Sequence, residues 1–111
     1  MLYIGNAISF NSIVAGQGAL HYRKATVREV ATLIANRNPV SYIGHQDMAN
    51  IISKQLGKEI PCHRINIWLR PGDTVILAQY IGQRLPEGAT VLPEGARIDY
   101  FIVQVAGENQ K

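Results

Sequence analysis

The sequence predicts a single small α/β domain over residues 1–111, built on a mixed β-sheet of about five or six strands with two main helices. Three observations predict it. Short apolar runs with period-two alternation recur along the chain, and two other segments carry apolar residues at helical spacing. The elements follow in the order β, β, α, β, α, β, β, β, so helices interleave with strands and some strands should lie parallel. A chain of 111 residues can also bury roughly two-thirds of its unfolded surface, so it needs no disulfide or metal to hold a core.

Leu2 to Ala7 reads as a short buried strand. Phe10 to Gly18 reads as a loop or short irregular element, broken by Gly16 and Gly18, and Ala19 to Lys24 as a second strand. Thr26-Val27-Arg28-Glu29 has the pattern of a capping box, in which the Thr hydroxyl and the Glu carboxylate each satisfy a backbone N–H at the other's position. Val27, Val30, Ala31 and Ile34 carry that helix to about Asn36, and Asn38-Pro39 ends it. Val40 to Ile43 is a short apolar strand. After Gly44 a second helix begins near His45, buries Met48, Ile51, Ile52 and Leu56, and stops at Gly57.

The second half reads as β-rich. Ile65, Ile67 and Leu69 alternate with polar or exposed types, Pro71-Gly72-Asp73 turns the chain, and Thr74 to Ile81 is read as the partner strand of an antiparallel hairpin. Between Gln83 and Gly95 lies a loop that contains Leu-Pro-Glu-Gly-Ala twice, at Leu85 to Ala89 and at Leu92 to Ala96, read as a locally duplicated turn. Ile98 to Val105 is the last strand, and Gly107 to Lys111 a polar tail.

Composition narrows the function. Hydrophobic residues make up 47% and charged residues 17%, the balance of a globular chain. A net charge of +3 favours an anionic ligand and is too small to announce a binder of duplex nucleic acid. The single cysteine, Cys62, excludes an intrachain disulfide and a cysteine-rich zinc site. The N-terminal residues lack the basic start and apolar stretch of a signal peptide, and no run approaches the ~18 apolar residues of a membrane helix. The expectation is a cytoplasmic protein with no membrane partner.

Phosphate-binding glycine loops, dinucleotide fingerprints and nucleophile elbows are all missing from the sequence, as is a dense carboxylate cluster for paired magnesium ions. Of the three histidines, His45 has the most informative setting, because it follows a strand and a glycine and opens a helix, where unpaired backbone N–H groups attract phosphate. The plainer reading is a solvated imidazole. His21 reads as a surface residue on a strand. His63 is adjacent to Cys62, and neighbours on a strand point to opposite faces, so the two do not make a metal pair. Arg84 and Glu87 sit on the glycine-bearing loop, where an Arg can hold a phosphate with two hydrogen bonds; the plainer reading is an exposed ion pair. Asn6, Ser9 and Asn11 can read ribose hydroxyls and base edges, or serve as ordinary turn residues.

Three segments, Leu2-Tyr3-Ile4-Gly5-Asn6-Ala7-Ile8-Ser9, Tyr42-Ile43-Gly44-His45 and Gly82-Gln83-Arg84-Leu85-Pro86-Glu87-Gly88, occur in this order. Together they resemble the viral type III anti-CRISPR ring nucleases, over nearly the whole chain. The resemblance implies a homodimer that binds cyclic tetra-adenylate in a pocket across its interface. It also implies cleavage of that ring into linear di-adenylates with no metal and no cofactor, which counters type III CRISPR defence from within the host cytoplasm. The family's catalytic histidine falls on His45, and its loop arginine and glutamate fall on Arg84 and Glu87. Its ligand contacts fall on Asn6, Ser9 and Asn11, and Gly44 and Gln83, inside the same motifs, join the ligand-binding set. Several relatives have a longer, helical lid after the arginine motif, where this chain has its second Leu-Pro-Glu-Gly.

The chemistry beside the resemblance is simple. The ribose 2′-OH of the ring is the nucleophile, so the protein has only to align it and to protonate the leaving 5′-oxygen. A two-fold ring matches an isologous dimer, and doubling a net charge of +3 suits a ring of phosphates. Two rivals stand beside this reading. One is a sponge that binds the ring without cutting it and does not require His45. The other is a small nucleic-acid-binding regulator using Arg23, Lys24, Arg28 and Arg37, residues that also read as a solvated basic face.

Overall fold

In the computed structural model, which describes residues 1–107, five strands form one sheet. They are β1 (Leu2–Gly5), β2 (Gly18–Ala25), β3 (Val40–Ser41), β4 (Thr74–Ile81) and β5 (Arg97–Gly107), with helices α1 (Val27–Ile34) and α2 (Gln46–Leu56). The strands run in the order β2-β5-β4-β1-β3. β1 lies parallel to both β3 and β4, whereas β5 is antiparallel to both β4 and β2. The mixed sheet, the two helices and the parallel neighbours are as the sequence predicts. Residues 108–111 of the predicted tail lie outside the described residues.

Strand alternation sorts the apolar side chains into two layers. On one face Ile4, Ile76, Ala78, Ile98 and Tyr100 pack with Val30 and Ile34 of α1 and with Met48, Ile51, Ile52 and Leu56 of α2. The Tyr100 hydroxyl donates to Gln55 Oε1 at 2.7 Å, tying β5 to α2. On the other face Tyr3, Val75, Val103 and Val105 pack under Ile67 and Leu69, which come from irregular chain.

The hairpin predicted across Pro71-Gly72-Asp73 does not form. The tight turn is there, with Asp73 N–H donating to Arg70 O at 3.0 Å and Arg70 N–H to Asp73 Oδ2 at 2.9 Å. The segment before it is not a strand; its one β-bridge joins Leu69 to Ile13. The reason is that β4 has two edges and both are filled, one by β1 and one by β5. The alternation of Ile67 and Leu69 with exposed Asn66, Trp68 and Arg70 is a real burial pattern, spent on covering the sheet instead of extending it. Cys62 and His63 likewise lie in irregular chain, so the strand argument separating them does not apply.

Local signals fare better. Thr26 caps α1 as a full box: Glu29 N–H donates to Thr26 Oγ1 at 3.1 Å and Thr26 N–H to Glu29 Oε1 at 3.0 Å. The other end of α1 is closed from a distance, because Lys58 Nζ donates to Ile34 O at 2.7 Å and Arg37 O at 2.8 Å. That ammonium adds a second bond to Ile34 O, which also accepts from Arg37 N–H at 3.2 Å, and it complements the helix dipole.

Replacing Lys58 by Met keeps the stem and removes both bonds; it should lower stability by about 1–2 kcal/mol, read from the urea midpoint at unchanged m-value. The Glu29 carboxyl sits below its ordinary value of 4.5, held there by the Thr26 N–H first and by Arg23 second. A depressed folded-state pKa stabilises above the unfolded value, and that contribution is lost as pH falls through the folded one. A carboxyl NMR titration should therefore place the Glu29 midpoint below 4.5, and Arg23→Ala, which removes the second cause and leaves the Thr26 N–H in place, should move it part of the way back up.

Candidate functional site

Parallel strands end on the same edge of a sheet, and here three of them do so side by side. β1 ends at Gly5 and runs into Asn6, β3 ends at Ser41 and runs through Gly44 to His45, and β4 ends at Ile81 and runs into Gln83 and Arg84. Ligands of α/β sheets bind at such edges, outside the carboxyl ends of the strands.

Two cavities open there. One, of about 410 Å³, is lined by Asn6, Ser9, Tyr42, Gly44 and His45 among others. The second, of about 620 Å³, is lined by His45, Asp47, Met48, Tyr80, Arg84, Leu85 and Glu87. His45 belongs to both. It is exposed, stands as N-cap of α2 with extended backbone, and makes no side-chain capping bond. Its imidazole is thus not engaged in holding the helix, while the first N–H groups of α2 lie beside it. Asn11 and Gln83 line neither cavity. Asn11 N–H donates to Ser9 Oγ at 3.3 Å in a short 3-10 turn, Phe10–Ser12, and the Gln83 carbonyl accepts a hydrogen bond from Tyr80.

The two sides of the smaller cavity are held together by Tyr42. Its N–H donates to Ile4 O at 3.0 Å and its hydroxyl to Ala7 O at 2.7 Å, so one residue binds both β1 and the segment after it. The ring lies directly on Gly5, where a Cβ would overlap it, and meets Tyr3 edge-on with centroids 6.4 Å apart. Burial pushes the Tyr42 phenol up to about 12. Neither Tyr42 nor Arg64 is among the site residues that sequence reasoning singled out. Segment 61–64 runs beside the strand leading to the site: Ser41 Oγ donates to Pro61 O at 2.6 Å and His63 N–H to Ile43 O at 2.8 Å. This brings the Arg64 side chain over Gly44, within 3.6 Å of where a Cβ would stand. A local sequence pattern carries no signal of such a contact.

The loop after β4 is two successive turns. Ala89 N–H donates to Pro86 O at 3.1 Å and Ala96 N–H to Pro93 O at 3.0 Å. Gly88 and Gly95 take φ of 78° and 81° at the third turn position, where type II geometry calls for glycine. Leu85, Ala89 and Leu92 pack on the helix-side core, leaving Arg84 and Glu87 exposed. Among the described residues no ion pair joins Arg84 to Glu87. The charge of the site also differs from that of the chain: one arginine faces two carboxylates, Asp47 and Glu87, in the larger cavity, net −1 with neutral His45. The excess positive charge therefore lies elsewhere. Among the described residues no three His, Cys, Asp or Glu side chains are placed to hold a metal ion, and no helix is long and apolar enough to cross a membrane.

A family model described as STIV B116-like matches residues 2–100. The chain is 31% identical over 91 residues to "Uncharacterized protein 26" of Sulfolobus islandicus filamentous virus (isolate Iceland/Hveragerdi), covering 82% of this chain and 76% of that protein. Among solved structures it is similar to B116 of Sulfolobus turreted icosahedral virus, with a TM-score of 0.79 and 22% identity over 93% of this chain and 97% of that one; this likeness establishes the fold.

Gly5→Ala should destabilise the protein by about 1–3 kcal/mol, the usual cost of forcing an atom into a packed site. Tyr42→Phe, which deletes only the bond to Ala7, should cost about 1 kcal/mol. In both variants the largest amide shifts in a ¹⁵N spectrum should fall on Asn6 to Ser9 and on Gly44 and His45.

Proposed function

The chain belongs to the STIV B116-like family, its reported relatives are viral proteins, and on that footing we propose that it is a metal-independent ring nuclease that opens cyclic tetra-adenylate. The observation that carries the reading is the position of His45: an unengaged imidazole at a helix N-terminus, shared by two cavities, at the ends of three parallel strands. The motif residues of the ring nucleases suggest the substrate and the roles, and the placement of His45 supports them.

In the proposed reaction the ribose 2′-oxygen attacks the neighbouring phosphorus and the P–O5′ bond breaks. The 2′-hydroxyl proton passes to water and His45 gives its proton to the departing 5′-oxygen, so that cuts at two opposite phosphates leave each di-adenylate with a 2′,3′-cyclic phosphate at one end and a 5′-hydroxyl at the other. The nucleophile belongs to the substrate, so no metal-bound water is required. Arg84 offsets charge that builds on phosphorus in the transition state, and Glu87 orients Arg84 or binds a ribose hydroxyl. Asn6 and Ser9 face the ring from the smaller cavity. Arg64, over Gly44, adds a cation to the Arg84 that lines the larger cavity. A second copy of the chain completes the pocket, and two His45 side chains facing opposite phosphates yield two equal di-adenylates.

Single-turnover cleavage with enzyme in excess tests the assignment. His45→Ala should bind the ring nearly as well as wild type and cleave it at least ~100-fold more slowly, because a general acid acts in the transition state. Arg84→Ala should weaken both binding and rate, since its charge meets the phosphates in both states. His63→Ala should cleave within a few-fold of wild type. Release of intact ring by wild type would replace cleavage with sequestration.

Two further outcomes are expected. Cleavage should persist in excess EDTA; loss on chelation with recovery in magnesium or manganese would refute the mechanism. Sedimentation at micromolar concentration should give about twice 12.3 kDa, and a monomer that still cleaves would refute the shared pocket.

A further inference from the structure

A cavity larger than either of those at His45 lies elsewhere in the described residues. A groove of about 800 Å³ runs between α1 and the β2–β5 side of the sheet, and it shares no lining residue with the two cavities around His45. Its lining holds Arg23, Arg28 and Arg37 against a single carboxylate, Glu29, a balance of +2. The whole chain carries only +3, so this groove holds the positive charge that the His45 cavities lack.

The groove has more order than a solvated basic face requires. Glu29 is fixed by the Thr26 capping box and in turn holds Arg23 Nη1 at 2.8 Å, so one guanidinium is oriented before any ligand arrives. Among the described residues Arg28 and Arg37 have no acidic partner. His21 lines the groove from β2. Below the polar groups lie Leu33 and Ile102, partly buried and packed against the core, which form an apolar floor.

From this combination we infer that the α1–β2 groove is a second binding site, for a small phosphomonoester of nucleotide size. Arg28 and Arg37 take the phosphate and the Leu33–Ile102 floor takes an apolar or aromatic group such as a base. A phosphomonoester carries about −1.5 to −2 at neutral pH, which matches the balance of the lining. Planar guanidinium groups bind phosphate oxygens in pairs. The volume lies within the range of about 300–1,000 Å³ that holds ligands of this size. The inference does not rest on the ring-nuclease reading.

The test titrates adenosine 5′-monophosphate, adenosine and inorganic phosphate into the intact ¹⁵N-labelled protein. The monophosphate should give saturable shifts at His21, Arg23, Thr32 and Arg37. Inorganic phosphate should shift the same amides more weakly, and adenosine without its phosphate should leave them unmoved. The Arg28→Ala/Arg37→Ala double variant, with its fold checked by circular dichroism, should bind the monophosphate at least ~10-fold more weakly, and Arg28→Lys/Arg37→Lys should recover part of the loss. His45→Ala should bind it as wild type does, and the double variant should still cleave the cyclic ring if wild type does, which separates this site from the other. Monophosphate shifts confined to the amides around His45, equal binding by adenosine, or unchanged affinity in the double alanine variant would each overturn the inference. A short DNA duplex that binds through Arg28 and Arg37 and is not displaced by the monophosphate would overturn the ligand class.

Discussion

Both edges of β1 are taken by parallel partners, and all four of its residues are buried. This arrangement is the constraint on which the rest depends. An antiparallel partner on either side would send one of the three site loops to the opposite edge of the sheet, and residues near positions 6, 45 and 84 would not meet. Parallel pairing also requires long returns, since strands that point the same way cannot be joined by a tight turn. The returns here carry β2, α1 and α2, so the elements that build the core are the same ones that make the parallel edge possible.

Tyr42 turns this alignment into a fixed distance. It sits in the return strand's continuation, packs on the one β1 residue that has no side chain, and reaches the carbonyl two residues further on. Asn6 and His45 are therefore set against each other by packed backbone and one ring, not by flexible side chains. In the reaction proposed for this site, such prior placement leaves less ordering for the moment of binding.

What the sequence made legible was local. The Thr26–Glu29 box, the stop at Gly57 and the repeated turn all depend on residues within a few positions of one another. The site residues were legible for a related reason: each lies within six residues after the end of a strand, so the end of an apolar run points toward it. Pairing was not legible in the same way. Ile65 to Leu69 alternate as a strand would, but whether a strand forms depends on a free edge, and β5, some 30–40 residues later in the chain, had taken it. Arg64 was missed because it reaches Gly44 only through bonds between segments about 20 residues apart. Net charge was readable as a sum and not as a map; its location needed the fold.

The repeated turn has a consequence for how this loop can change over evolutionary time. Each Leu-Pro-Glu-Gly-Ala unit closes its own hydrogen bond and presses its leucine on the core, so it is complete without its neighbour. A gene can gain or lose such a unit in one step without disturbing the strand on either side. The span of the arm beside His45 is in that sense counted in modules, and its reach can be altered by copying a short stretch of DNA while the sheet beneath stays the same.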